Sequence, residues 1–420
     1  MFAVRACELY LKTGGKFGLV LPNAAIDREH YAGFRSGHYG GKSGDVAIAF
    51  SRSWDLRRIR PHFFPRAACV VFGIREEHAS NPVVGATWSG RSMPEEAELW
   101  TGRLRTANIS WPEAKESLTR TNGKVRHIGQ LTKSPYAPAF TQGATVLPRV
   151  AFVVEKQAAS ALGLPQGRIA VRSSRSVQEK KPWKSLPDIT GVVESEFVRP
   201  YFTGDNVYPF RTGDPMLAVI PCGVRGKLEQ GKIDLHPGLQ QWWSRAEEIW
   251  NVNRSNGRMS LAERLDYQST LSKQFPIPLL RVVYNRSGMH VVAAKLFNTR
   301  AILGSGLYWA PVHSEEEANY LCAVLNAPVT TELVRPFMTY GKDERDIAKH
   351  VWEVPIPRFD VENPIHRRLT ELGKTAESTV AGFTINPDLH FAATRRHIRE
   401  LLDSTDEGRE INEIVFEMLS

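Results

Sequence analysis

Seven cations stand where a chain of short strands would end or turn: Arg199, Arg211, Arg281, Arg286, Lys295, Lys342 and Arg345. From such places a guanidinium or ammonium group can reach phosphate oxygens or guanine edges. Tyr201, Tyr208, Tyr284 and Asn285 lie among them and supply aromatic faces and an adenine-reading amide. Nearer the N-terminus, Phe63-Phe64-Pro65 precedes the apolar run Cys69-Val-Val-Phe-Gly-Ile-Arg75. An aromatic pair in a loop ahead of a strand either fills a core or offers its face to a planar ligand.

Other chemistries lack their residues. No Walker loop, zinc-protease helix or G-x-S-x-G elbow occurs. Leu303-Gly-Ser-Gly306 has no preceding strand of the kind a cofactor loop needs. Pro187-Asp188 with Glu194-Ser-Glu196 lacks the lysine of a metal nuclease and reads as solvated surface. Cys7, Cys69, Cys222 and Cys322 are far apart, with no C-x-x-C pair, which excludes a zinc knuckle and a disulfide framework. No metal is expected.

The 420 residues allow two or three domains, and 42% hydrophobic with 10% aromatic content fits a folded protein. No apolar run approaches membrane-helix length and no signal peptide is visible, so a cytoplasmic location is expected. The net charge of +9 suits a polyanionic partner.

Four segments position these residues. Residues 1–78 alternate short apolar strands with a helical stretch, Arg28 to Gly37, and suggest α/β architecture. Residues 79–185 are rich in Pro, Gly, Ser and Trp and read as a connecting region; they end in the basic stretch Gly167 to Lys184. Residues 186–360 hold a helical pattern over Leu239 to Lys273, with Trp242, Trp243 and Trp250 on its core side. Strands at Leu280–Tyr284, Val291–Ala294 and Leu307–Trp309 follow, then a helix capped by Ser314 with Glu317 at capping-box spacing. Residues 361–420 read as helical and charged.

The N-terminal order begins with the Gly-Gly turn and strand of Lys12-Thr-Gly-Gly-Lys-Phe-Gly-Leu-Val-Leu-Pro22. A helix, a strand at Asp45–Phe50, the Phe-Pro loop and a strand at Cys69–Arg75 follow. This order resembles the closing part of the Rossmann-like domain of amino-DNA methyltransferases, nearest to the large N6-adenine enzymes of restriction–modification and phage-defence systems. The segments Phe197 to Arg211, Leu280 to Gly288, Ala293 to Lys295, Leu307 to Trp309, Glu317 to Asn326, Gly341 to Arg345 and Val354 to Pro357 resemble the target-recognition region of the same enzymes.

The resemblance implies an α/β fold: a partial Rossmann-like methyltransferase sheet, then a mixed α+β target-recognition domain with a helical C-terminal part. It implies that Phe64, with Phe63 beside it, stacks on an adenine extruded from double-stranded DNA. Pro22 and Asn23 would sit near the active site, and the cations above, with Tyr201, Tyr284 and Asn285, would contact DNA. The family's Gly-rich cofactor motif and its Asn-Pro-Pro-Tyr motif precede this region, and neither occurs here. Asn81-Pro-Val-Val, Asn363-Pro-Ile-His and Asn386-Pro-Asp-Leu lack the second proline and the aromatic. The expectation is therefore a split or truncated S-adenosylmethionine-dependent site-specific adenine methyltransferase, inactive without a protein carrying the N-terminal half, which would bind the cofactor. A restriction or defence complex would be a further partner. The strand Phe17–Leu21 would then present a bare edge that favours association. The alternatives are a non-catalytic DNA-binding protein and a scaffold subunit derived from such an enzyme.

Overall fold

The computed structural model describes residues 2–27, 31–41, 44–51, 53–60, 68–77, 85–91, 112, 116, 118–123, 133–158, 163–176, 179–255, 257, 259–338 and 346–419. The chain forms two compact units, Met1–Leu131 with Arg335–Arg345, and Thr132–Val334 with Asp346–Ser420. Each is a mixture of sheets and helices, as the α/β reading expects. One boundary, after Leu131, falls inside the segment read as a connecting region; the other two, after Val334 and Arg345, fall inside the segment read as one target-recognition domain.

The first unit opens with helix α1 (Phe2–Tyr10) and strand β1 (Lys16–Pro22), followed by the short helices α2 (Ala24–Asp27) and α3 (Ala32–Arg35). The helical stretch expected over Arg28 to Gly37 is thus shorter. Six further strands follow: β2 (His38–Gly41), β3 (Gly44–Phe50), β4 (Ser53–Arg60), β5 (Ala68–Glu76), β6 (Gly85–Arg91) and β7 (Leu118–Gly123). The sheet order is β2-β3-β5-β4-β6-β7, with β1 also on β5. β5 is long enough to serve three partners, running antiparallel to β1, β3 and β4. β1 and β3 therefore run in the same direction on either side of it. Among the described residues β1 has no second strand partner, and Val20 on it is 51% exposed.

One face of this sheet carries Val46, Ile48, Phe50, Cys69 and Val71, packed with Cys7, Ala25 and Ile26 of the helices. Period-two burial along β3 aims alternate side chains at that core. Arg75 at the end of β5 locks α1 to the sheet. Its Nη1 donates to the carbonyls of Cys7, Glu8 and Leu11, at 3.3, 3.2 and 2.5 Å, satisfying acceptors that a helix C-terminus leaves open.

The second unit contains β8 (Thr141–Gln142), β9 (Val153–Lys156), β10 (Arg168–Ser173), β11 (Thr190–Glu194), β12 (Val198–Phe202), β13 (Val207–Tyr208), β14 (Arg211–Thr212), β15 (Met216–Val219), β16 (Cys222–Gly223) and β17 (Gly226–Lys227). It continues with β18 (Leu280–Asn285), β19 (Ala293–Phe297), β20 (Ile302–Leu303) and β21 (Leu307–Pro311). A six-stranded sheet runs β11-β10-β9-β15-β12-β20 and a four-stranded sheet β19-β18-β21-β8, with β13–β14 and β16–β17 as small hairpins. Its helices include α4 (Pro237–Asn253), α5 (Leu261–Leu265), α6 (Glu315–Asn326), α7 (Pro364–Ala381), α8 (Phe391–Ser404) and α9 (Asp406–Leu419).

The long helical pattern over Leu239 to Lys273 divides into α4 and α5, because the chain turns extended at Arg254. Trp242 and Trp243 on α4 are buried in the core of the six-stranded sheet, and the Trp242 indole donates to the Ala151 carbonyl. α6 starts where expected, with the Ser314 hydroxyl accepting from the Glu317 amide. No helix among the described residues is long and apolar enough to cross a membrane.

α4 is held at its start by Glu194 from β11. The carboxylate accepts from the Gly238 amide at 3.0 Å and the Leu239 amide at 2.8 Å, and Arg168 lies 3.2 Å away. Gly238 is required, since a Cβ there would meet the Val192 carbonyl at 2.4 Å. Burial pushes the Glu194 carboxyl up, but the helix amides and Arg168 outweigh it, so it titrates below its ordinary value of 4.5. A depressed carboxyl pKa stabilises the fold above the unfolded value, and that contribution is lost as pH falls from about 4.5 through the folded value. We expect Glu194→Gln to cost about 1–3 kcal/mol at pH 7 and to flatten the acid side of the stability profile. Chemical denaturation between pH 3 and 7 measures both; an unchanged acid limb would remove Glu194 from this role.

Candidate nucleic-acid interface

The sequence places its DNA-contact residues mostly on strands of the second unit, and the structure shows where the described ones point. β18 is flanked by β19 and β21, so all but its first residue are buried. Arg281 is fully buried on it. Its Nη2 donates to the carbonyls of Asn298 and Ala301 at 2.9 and 3.0 Å, and the guanidinium lies 5.8 Å from the Trp309 ring centroid. Burial lowers its pKa to about 10. Tyr284 is also buried, donating to the Ala348 carbonyl and accepting from the Trp352 indole. The Asn285 amide closes the following turn: Nδ2 donates to the Ser287 and His290 carbonyls, and Oδ1 accepts from Val292. None of these three side chains, so placed, offers a group to a ligand at the surface.

Lys295 on β19 ties the sheet to two helices. Its ammonium lies 2.5 Å from Glu315, 2.8 Å from Glu377 and 2.9 Å from the Asn319 side chain. Burial works against its charge, but the hydrogen bonds to Glu315 and Glu377 prevail and hold its pKa above the usual lysine value.

The segment from Phe197 to Arg211 is likewise turned inward. Arg199 is buried and donates to the carbonyls of Cys222, Gly223 and Arg300. Tyr201 is 7% exposed, with its ring against Gly304. Arg211 donates to the Phe383 carbonyl at 2.8 Å, just beyond the C-terminus of α7, and more distantly to those of Val380 and Ala381. Tyr208 is half-buried, and the same hairpin is gripped from α8 by Arg395, whose guanidinium donates to the carbonyls of Val207 and Gly204. Sequence reasoning missed Arg395, because a helical arginine in a charged segment looks like any other surface cation.

Arg286 is the exposed member of the described set. It follows Asn285 at the end of β18, where its backbone is fixed by the Gly306 carbonyl and the Ala348 amide. It makes no ion pair within 4 Å among the described residues, and its charge is felt by Tyr308, half-buried and stacked on Tyr284 at 5.5 Å. Lys342 and Arg345 lie outside the described residues, as do Phe63 and Phe64. Pro22 ends β1 opposite Ala68, and Asn23 is fully buried at the start of α2.

A cleft of about 420 Å³ opens beside the N-terminus of α6, walled by Tyr136, Phe140, Phe359, Glu317, His313 and Arg358. Its carboxylate is already engaged, accepting from the Tyr136 hydroxyl and the His313 amide. The Leu303-to-Gly306 stretch offers no cradle for S-adenosylmethionine. A Cβ on Gly304 would meet the Tyr201 hydroxyl at 2.5 Å, and one on Gly306 would meet the Gly204 amide at 3.1 Å. These glycines let backbone and ring approach one another. The Gly14–Gly15 turn also bonds to the main chain of Arg75. Neither glycine stretch therefore fits that cofactor.

No protein-family profile matches the sequence, and no curated protein matches it. Solved structures do. The chain is similar in fold to the Type IIL restriction-modification enzyme MmeI, solved in complex with DNA, with 9% identity over 99% of this chain and 48% of that one and a TM-score of 0.52. The type IIG restriction endonuclease BpuSI matches at 10% identity over 97% of this chain and 48% of its own, with a TM-score of 0.31, too low to argue from. The chain is thus similar in fold to part of MmeI, and it spans about half the length of each of the two matched chains.

Arg281 and Arg286 stand five residues apart, the first buried and the second exposed. Arg281→Ala should lower stability by about 1.5–3 kcal/mol, the range for charge-assisted hydrogen bonds lost from a buried site. Arg286→Ala should change it by no more than about 0.5 kcal/mol while weakening binding to duplex DNA. Thermal unfolding and a DNA titration on both variants distinguish the roles, and a reversed pattern would refute the assignment.

Proposed function

We propose that this chain is the DNA-recognition portion of a restriction–modification-type, site-specific adenine-N6 DNA methyltransferase. The observation that carries the reading is the likeness in fold to the DNA-bound enzyme MmeI along 99% of the chain. The net charge of +9 and the order of sequence segments support it. In this reading the second unit grips duplex DNA, mainly through phosphate contacts that set its register. The target adenine leaves the stack and is received by Phe64, with Phe63 beside it, since an aromatic face restores part of the lost stacking. Pro22 and Asn23, at the end of β1, belong to the neighbouring wall. S-adenosylmethionine is held by residues outside this sequence, on a protein part that carries the Gly-rich and Asn-Pro-Pro-Tyr motifs. The edge of β1 that no described strand covers is a place for that part to pair. A role in phage defence belongs to the same reading.

The alternative, a non-catalytic DNA-binding or scaffold protein of the same fold, parts from it in one experiment. The chain alone should bind duplex DNA with steep salt dependence and transfer no methyl group from labelled S-adenosylmethionine. Supplied with a part bearing the two missing motifs, it should yield N6-methyladenine. Phe64→Ala should then reduce turnover by roughly 5- to 150-fold, the worth of a stacking contact of about 1–3 kcal/mol, and weaken the fluorescence rise of 2-aminopurine at the target base. Methylation by the chain alone would sink the partial-enzyme reading. DNA binding that no such part converts to methylation would favour the alternative.

A further inference from the structure

The basic stretch that ends at Lys184 has an order its composition does not suggest. Lys180, Lys181 and Lys184 are exposed, and they flank Pro182 and Trp183 in a short turn, three cations in five residues. The turn is held from beneath. The Trp183 ring stacks on Trp250 of α4 at 5.5 Å with the planes 10° apart, and the Trp250 indole donates to the Met259 carbonyl. From the side, Arg175 donates to the Trp183 carbonyl at 2.7 Å, and the Lys184 amide donates to the Lys180 carbonyl.

The neighbouring carboxylates are engaged elsewhere. Glu179 pairs with Arg175 at 3.2 Å, and Asp188 pairs with Arg172 at 2.6 Å and lies 3.6 Å from Arg175. Glu247 and Glu248 lie on α4, the helix that carries Trp250, but no carboxylate stands within 4 Å of the three lysine nitrogens among the described residues. Two arginines thus neutralise the local acids, and three lysines are left uncompensated on a fixed support. Ammonium groups in such an array suit a row of phosphates, which they meet as point charges without reading sequence.

We propose that the turn Lys180–Lys184 is a sequence-independent contact for the phosphate backbone of duplex DNA, positioned by Arg175 and by the Trp183–Trp250 stack. The proposal rests on the DNA-recognition reading and places part of the grip away from the strands on which the sequence suggested it. The lysines set affinity, and base discrimination lies elsewhere.

The experiment titrates labelled duplex DNA of random sequence into the full chain over a range of salt concentrations. The K180A/K181A/K184A variant should bind more weakly, and its plot of log affinity against log salt should be shallower by about one unit per lysine. The loss should be equal on duplexes of unrelated sequence, and K180R/K181R/K184R should restore the wild-type slope. Because the three side chains are exposed, the unfolding temperature should not move, which circular dichroism checks. A wild-type chain that binds no duplex at low salt overturns the DNA-recognition reading, and the lysine assignment with it. A wild-type chain that binds, beside an alanine variant of unchanged slope, overturns the lysine assignment alone.

Discussion

An arginine side chain carries five N–H donors in a rigid fork, and this fold depends on using those donors against its own backbone. Short strands joined by turns leave many carbonyl oxygens outside any ladder, and a buried acceptor without a donor is costly. Arg75 closes the end of α1, Arg199 the turn after Cys222, Arg211 the end of α7, Arg281 the turn at Asn298, and Arg395 the hairpin of β13 and β14. In each case one cation joins segments far apart in sequence. Among the described residues no carboxylate pairs with buried Arg281: its Nη2 donates to two carbonyls and the Trp309 ring lies 5.8 Å away, while its Nε and Nη1 have no hydrogen-bond partner.

This constraint changes the meaning of the basic composition. An excess of lysine and arginine over acids is commonly taken as a measure of surface that could meet a polyanion. Here part of the excess is internal, since Arg199, Arg281 and Arg395 are each at most 6% exposed. Lys295 is neutralised by two glutamates. Other cations face outward, among them Arg286 at a strand end and the lysines of a turn whose nearest acids are already paired. The buried arginines meet converging carbonyls, which the five donors of a guanidinium suit.

The local elements were legible in the sequence and the inward turn of the arginines was not. Alternating apolar residues marked β3, a valine-rich run marked β5 and β18, and Ser314 with Glu317 marked the start of α6. These signals are local, and the structure keeps them. The strands β4, β6 and β7 carry no such pattern: Leu118-Thr-Arg-Thr-Asn-Gly123 lies in the segment read as a connecting region, and pairing with β6 makes it a strand. The site residues failed to read for a related reason. Leu280-Arg-Val-Val-Tyr-Asn285 reads as a strand with polar residues that could face out. Whether Arg281 faces out depends on β19 and β21 lying on both sides and on the turn at Asn298 presenting two carbonyls. Nothing within six residues of Arg281 encodes that turn.

The same reasoning explains why the basic stretch before Lys184 was readable as charge and unreadable as structure. Composition shows lysines, a proline and a tryptophan; it does not show that the tryptophan meets Trp250, which lies 67 residues later. Once that stack forms, the backbone of the turn is fixed at both Trp183 and Arg175, and the lysines lose the freedom a flexible linker would have. A phosphate-binding group held in place costs less entropy to engage than one on a mobile tail. Anchoring by an aromatic stack leaves all three ammonium groups at the surface, which anchoring through a lysine would not. A fold that uses several of its arginines internally in this way can still present an ordered positive surface where an aromatic stack supports the turn that carries it.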